Sequence, residues 1–270
     1  MRGTSGASLE AARERFEPVL LAAGADALTI GEQLFAVVEA LDESGALRRS
    51  LSDPSRGGED KAGLVAGLLG RFDERVVDLV SGMVRSRWAS EGDLVDAVER
   101  LAVDATLASA ESRGTLETVE DELFRFTRAL AGQREARQAL SDGTSAPARR
   151  RALVDALLGG KADAVTHALA LRATLYPRGR RFVPALTWFG EVAAERRKRL
   201  VATVTSATVL SQAQEERLAA ILERSYGRAV QLNVTVDPAV VGGLRIQVGA
   251  DVVDSTVLSR LADAQRRLAG

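Results

Sequence analysis

Few residues in this chain have the types and spacing that chemistry demands. A phosphate-cradling loop needs a glycine, four intervening residues, a Gly-Lys pair and then a hydroxyl to hold magnesium. Around Gly160-Lys161 those places hold Asp155 and Ala162. The run Gly242-Gly243-Leu244-Arg245-Ile246-Gln247-Val248-Gly249 lacks GxGxxG spacing and leads into a strand, not into the helix N-terminus that would stabilise a phosphate. There is no GxSxG elbow, and the single histidine, His167, lies among Ala164, Val165, Ala168 and Leu169 in a helical stripe with no acid or nucleophile assigned to it. It reads as a helix-packing residue. The absence of cysteine excludes disulfides, thiolate zinc sites, iron–sulfur clusters and thiol nucleophiles. Asp73-Glu74 and Glu120-Asp121-Glu122 stand at helix starts, where anions offset the dipole, and none forms an acid–base pair. No catalytic, cofactor or metal site is expected.

Two basic stretches remain, Tyr176-Pro177-Arg178-Gly179-Arg180-Arg181-Phe182 and Arg196-Arg197-Lys198-Arg199. The first interleaves aromatics with arginines, as RNA-binding segments do; it also suits an inter-helix turn, and the second suits a helix C-terminus. Thirty-six basic against 37 acidic side chains leave a net charge of −1, so no global field draws in polyanions and nucleic acid is not the expected partner. At 270 residues and 46% hydrophobic the chain can bury real cores, with about two domains by the usual roughly 150 residues each. Met1-Arg2 is followed by Gly, Ser and Thr and then by Glu10, Arg13, Glu14, Arg15 and Glu17, where an export signal would be apolar. The longest uncharged segment, Leu200 to Gln214, is short and rich in Thr, Ser and Gln, so no membrane span is expected.

The elements around these residues are organised by an internal repeat. At an offset of 89 residues, Leu34-Phe35 falls on Leu123-Phe124, Ala40-Leu41 on Ala129-Leu130, Leu51-Ser52-Asp53 on Leu140-Ser141-Asp142, and Leu68-Leu69-Gly70 on Leu157-Leu158-Gly159. Both copies read as helices. Leu28, Leu34, Val37, Val38 and Leu41, then Leu64, Leu68 and Leu69, then Val76, Val80, Met83 and Val84 recur at spacings of three and four. A helix near Leu94 to Glu111 opens the second copy, and Gly63, Gly67 and Gly82 are expected to permit close helix approach. The expected domains are a first bundle over 1–96, a second over 97–198, and a C-terminal domain over 199–270, with five or six helices per bundle.

After Arg199 the period switches to two. Leu200, Ala202 and Val204, then Val230, Leu232, Val234 and Val236, then Leu244, Ile246 and Val248 mark strands, and Gly249-Ala250-Asp251 turns into Val252-Val253 as a hairpin. Between the first two strands Ser211 and Gln214 have capping-box spacing, Leu218, Ile221 and Leu222 form an apolar face, and Gly227 marks a C-cap. Ser255 resembles the N-cap of a final helix carrying Val257, Leu258, Leu261 and Leu268. The fold class is mainly α with a small α+β domain ordered strand, helix, strand, strand, strand, helix.

Residues 232–269 resemble the signature of the delta subunit of F-type ATP synthases, called oligomycin-sensitivity-conferring protein in mitochondria. The residues that carry this are Asp237-Pro238, an apolar pair, Gly242-Gly243, Gly249, Asp254 and Arg260-Leu261. Leu47 to Pro54 and Arg137 to Asp142 each resemble the family's second-to-third helix junction, and 97–200 resembles its N-terminal bundle. At Ser255-Thr256 the family more often has Gly-Ser. Longer members carry an additional bundle, some fused to a membrane-anchored stalk subunit; here the stalk subunit is expected to be a separate chain.

The resemblance implies a non-catalytic stator subunit of the peripheral stalk, one copy per complex, on the cytoplasmic face of the plasma membrane. It would link the catalytic alpha/beta head to the stalk b subunits so that rotor torque drives ATP synthesis coupled to proton transport. An amphipathic helix can lie in an apolar groove of a bundle, as the N-terminal helix of an alpha subunit does in this family. Leu79, Val80 and Met83 in copy one and Leu169 and Leu171 in copy two are the candidate groove residues, with Val257, Leu258 and Leu261 facing the stalk. Plain core packing is the competing reading for each. The rival function is a helical adaptor or regulatory protein that binds nucleic acid or protein through its arginine clusters, and a third is a small-molecule enzyme on the C-terminal sheet.

Overall fold

The computed structural model describes residues 3–198, 200–226, 230–238, 240, 243–248 and 251–254. The chain divides into two compact units, 1–194 and 195–270.

The first unit is helical: α1 (Gly3–Ala23), a 3₁₀ turn (Gly24–Asp26), α2 (Ala27–Glu43), α3 (Gly45–Ser52), α4 (Gly58–Leu68), α5 (Glu74–Arg85), α6 (Glu91–Ser112), α7 (Leu116–Ala129), α8 (Arg134–Ser141), α9 (Pro147–Leu158), α10 (Ala164–Leu175) and α11 (Phe182–Lys198). Shifted by 89 residues, α1 to α4 fall on α6 to α9; one additional residue before α10 then matches it to α5. Local chemistry repeats as well. Asp53 and Asp142 each accept the backbone N–H two residues on, from Ser55 and Thr144. Hydrogen bonds from Thr144 and Ser145 hold the Asp142 carboxyl down at about 2. Asp73 and Asp163 cap α5 and α10, and their own N–H groups donate to Gln33 Oε1 and Glu122 Oε2, residues at the same repeat position.

Most of the 22 residues of α6 are buried, because it packs on α1, α2, α3 and α5 and also on α7 and α10. It closes the first six-helix bundle and opens the second. The expected boundary at 96/97 falls inside this helix, and one apolar core runs without interruption from Ala12 to Ala193. The copies expected over 1–96 and 97–198 share α6, which packs on helices of both.

Two further expectations change. On α4 the inward residues are Ala62, Val65 and the stem of Lys61, while Leu68 is 54% exposed. Nothing lies within 4 Å of a Cβ built at Gly63 or Gly67, and one at Gly82 would meet only the Arg15 guanidinium at 3.6 Å. The close approach is at Gly31 of α2, where a Cβ would lie 2.4 Å from Thr106 Oγ1 and 3.0 Å from the Ala102 carbonyl oxygen of α6. Gly31→Ala is expected to destabilise by about 1–3 kcal/mol through overpacking, whereas Gly63→Ala should be neutral or stabilising by up to about 1 kcal/mol. Urea midpoints of the two variants check this; equal midpoints would remove the steric explanation.

By length and composition alone one helical stretch among the described residues, Gly3–Glu43, could cross a membrane, with a window of mean hydropathy 1.3 that the expectation built on Leu200 to Gln214 overlooked. Leu20, Ile30, Leu34 and Val38 of that stretch are buried in the core, which accounts for its apolarity.

The second unit is a four-stranded sheet with one helix among its described residues. β1 (Leu200–Ser206), α12 (Gln212–Tyr226), β2 (Val230–Val236), β3 (Leu244–Val248) and β4 (Asp251–Asp254) give the order β2-β1-β3-β4. The β1–β2 pair is parallel, which requires a crossover such as α12, and the β1–β3 and β3–β4 pairs are antiparallel. Val204 lies opposite Val234 on one side and Ile246 on the other. These residues and Ala202 make a core with Leu218 and Leu222 of α12, while Thr203, Arg245 and Gln247 are exposed on the alternate face. The capping box forms: Ser211 N–H donates to Gln214 Oε1 at 2.8 Å and Gln214 N–H to Ser211 Oγ at 3.4 Å. Gly227 and the helix expected from Ser255 lie outside the described residues. The chain is mainly α with a small α+β unit.

Candidate partner-binding surfaces

Where α2 and α10 both approach α6, they leave a cleft of about 220 Å³. Leu28 and Phe35 of α2 face Ala168, Leu171 and Leu175 of α10 across it, with Thr106 of α6 also in its lining. Arg172 of α10 bridges the cleft. Its Nη1 donates to Glu39 of α2, and its guanidinium is sandwiched between the Phe35 and Tyr176 rings at 4.5 and 4.6 Å. Burial pushes the Arg172 pKa down, opposed by the Glu39 charge.

This cleft separates the expected groove residues. Leu171 is half-buried in its wall, and Leu79 of α5 is half-buried against the core. Val80, Met83 and Leu169 are at most 1% exposed and serve the core, because the three-and-four spacing that singles them out is the core's own pattern. A partner could reach them only by opening the bundle. Phe35 and Phe124 occupy one repeat position, yet Phe35 is 9% exposed under Arg172 while Phe124 is 62% exposed, with the Arg128 guanidinium 5.9 Å from its ring.

The aromatic-arginine stretch is tied down internally. Arg178, at a φ of 46°, donates from Nε to Asp42 Oδ2 at 2.7 Å and from Nη1 to Glu99 Oε2 at 2.6 Å, and its Nη2 lies 3.1 Å from Asp96 Oδ1. Arg180 Nη1 donates to the same Glu99 oxygen at 2.7 Å while its guanidinium lies over Trp188 at 4.5 Å. These two cations fasten the α10–α11 loop to α2 and α6, which leaves them unsuited to gripping a polyanion. In the second stretch Arg196 is buried and Arg199 lies outside the described residues. His167 differs from expectation too: its Nε2 lies 2.6 Å from Asp155 Oδ1 of α9, and both side chains are exposed, so it is half of a surface pair. The carboxylate was missed because it lies 12 residues away, at i,i+4 spacing on neither helix.

The signature residues that the structure describes shape strand ends. Asp237 N–H donates to the Ser206 carbonyl at 2.8 Å and Val240 N–H to the Asp237 carbonyl at 3.0 Å, so Asp237-Pro238 turns the chain out of β2. Gly243 precedes β3, and Asp254 lies opposite Arg245 in the β3–β4 register. Gly242, Gly249, Val257, Leu258, Arg260 and Leu261 lie outside the described residues.

The described residues thus form a fused double helical bundle and a small α+β unit, with half-buried apolar faces. The family model described as ATP synthase delta (OSCP) subunit matches residues 98–268. Similar over the whole chain is the protein named ATP synthase subunit delta from Beutenbergia cavernae, 55% identical with 100% of both chains covered. Proteins of the same name from Kineococcus radiotolerans (50% identical, 99% of this chain and 98% of that one) and Streptomyces griseus subsp. griseus (46%, 100% of both) extend the likeness through the first copy. A chain of the Toxoplasma gondii mitochondrial ATP synthase hexamer is 19% identical, covering 62% of this chain and 95% of that one, at a TM-score of 0.29 that carries no argument. The chain belongs to the ATP synthase delta (OSCP) subunit family, and as such it is a structural subunit of the synthase with no catalytic role.

Proposed function

We propose that the chain is the stator connector of an F-type ATP synthase, holding the alpha/beta head to the stalk b subunits while the rotor turns. It acts at the cytoplasmic face of the plasma membrane, one copy per complex. The observation that carries this is full-length similarity, at 55% identity, to a protein named ATP synthase subunit delta; the sharing of α6 supports it, because a connector under torque must not flex between its grips. The N-terminal helices of alpha subunits dock beside α5 at Leu79 and beside α10 at Leu171, and the stalk helix takes the C-terminal unit through Val257, Leu258 and Leu261. An intramolecular precedent exists for the helix-on-helix contact, since α2 already presents Leu28 and Phe35 toward α10. Detergent-solubilised membranes should yield the chain with alpha, beta and b subunits at one copy per head. A deletion strain that synthesises ATP at full rate, with its head still firmly attached, would overturn the proposal.

A further inference from the structure

A second cavity, of about 600 Å³, opens between α8 and the start of α11. Arg134 and Arg137 of α8 line it from one side and Arg181 from the other. Among the described residues none of the three has an ion pair or a side-chain hydrogen bond, unlike Arg178 and Arg180 next to them. The carboxylate on the rim does not answer them: Asp142 spends Oδ1 on the Thr144 N–H and hydroxyl and Oδ2 on the Ser145 hydroxyl, within its own turn.

The first copy provides an internal control. Arg48 is the repeat counterpart of Arg137, and it is satisfied: Nη1 donates to the Leu41 and Asp42 carbonyls, and Nε lies 3.7 Å from Glu91 in the first turn of α6. The counterpart of Arg134 is Gly45. Where α6 opens with Glu91 and Asp93, α11 has no acid in its first turn and is preceded by Arg181. The same corner has thus gone from a closed pair to three cations lining one cavity, with the positive end of α11 adding its field. Like charges gathered round a cavity repel one another unless an anion enters.

We infer that this cavity is an oxyanion site that takes a multiply charged phosphate group, free or carried on a nucleotide. Guanidinium forks match phosphate oxygens two at a time, and three of them against the one rim carboxylate, Asp142, favour a ligand of charge −2 or more. The volume suits a compact ligand. Gln138 and Ser141 add neutral polar groups to the wall.

The test uses the full chain and titrations with inorganic phosphate, pyrophosphate and ADP, read by calorimetry, and does not involve the synthase complex, so its outcome is separate from that of the stator proposal. Pyrophosphate should bind saturably. Arg181→Glu, which offers Arg137 an acid as Glu91 does Arg48, should weaken binding at least tenfold and leave the thermal midpoint unchanged or raised. Arg149→Glu, an equal charge change at an exposed residue outside the lining, should leave binding within twofold. ADP binding tighter than pyrophosphate identifies a nucleotide as the source; the reverse order identifies free phosphates. No saturable binding of any of the three, or equal losses in the two variants, overturns the site.

Discussion

Replacing Glu99 by alanine is expected to lower the stability of the helical unit by about 1.5–3 kcal/mol, the range for losing hydrogen bonds to charged groups. Glu99 is 2% exposed on α6, and its Oε2 accepts from both Arg178 and Arg180. Without it Arg178 keeps Asp42 and Asp96, but Arg180 loses its carboxylate and keeps only the Trp188 ring. The cost therefore comes mainly from the hydrogen bonds lost by both guanidiniums, because the Arg180 side chain is 32% exposed and water replaces part of what Glu99 supplied. Glu99→Gln retains an acceptor at that place and should fall between wild type and alanine. The counterpart Glu10, 54% exposed and paired with Arg13, should tolerate alanine within about 1 kcal/mol, as exposed pairs do. Urea unfolding with unchanged m-values would measure all three. A loss below 1 kcal/mol for Glu99→Ala would mean that the network does not hold the α10–α11 loop to α6.

The repeat was legible because equal side chains at equal spacing build equal bundles, so pairs such as Leu34 and Leu123 are buried alike. Strands were legible from alternation, as at Ala202 and Val204, with Thr203 exposed between them. What periodicity cannot supply is the identity of the covering neighbour. Leu68 lies in an apolar stripe and faces solvent; Phe35 and Phe124 share a register and differ because α10 covers only the first. Nor does a sequence stripe show that one helix serves both copies, which is why α6 was assigned to the second copy alone. The carboxylates that neutralise Arg178 come from 79 and 136 residues away, beyond any local motif. The groove residues were chosen from the same stripes that make the core, so Val80, Met83 and Leu169 were selected by a signal that carries no information about a surface.

Charge introduced at the outer edge of α5 should cost the complex far more than the chain itself. If both copies grip alpha-subunit helices, the second grip acts at high effective concentration, and losing it should weaken head binding by about 10² to 10⁴-fold. Deleting residues 1–96 cannot report this, because the cut falls within α6 and would expose the apolar faces that α1, α2 and α5 cover. Leu79→Asp is the sharper probe: the residue is half-buried, at the margin of the core, so the bundle can bear the change at the cost of part of one leucine's burial, up to about 2 kcal/mol. Leu171→Asp makes the same change beside the α2–α10 cleft. Each single variant should lose the avidity factor, and the double variant should lose head binding while its C-terminal unit still takes the stalk helix. A thermal midpoint below the assay temperature would mark unfolding, and Leu79→Ala then serves as the milder probe. Head binding by a folded Leu79→Asp chain within threefold of wild type would leave Leu171 as the single grip and would remove the mechanical reason for carrying two copies.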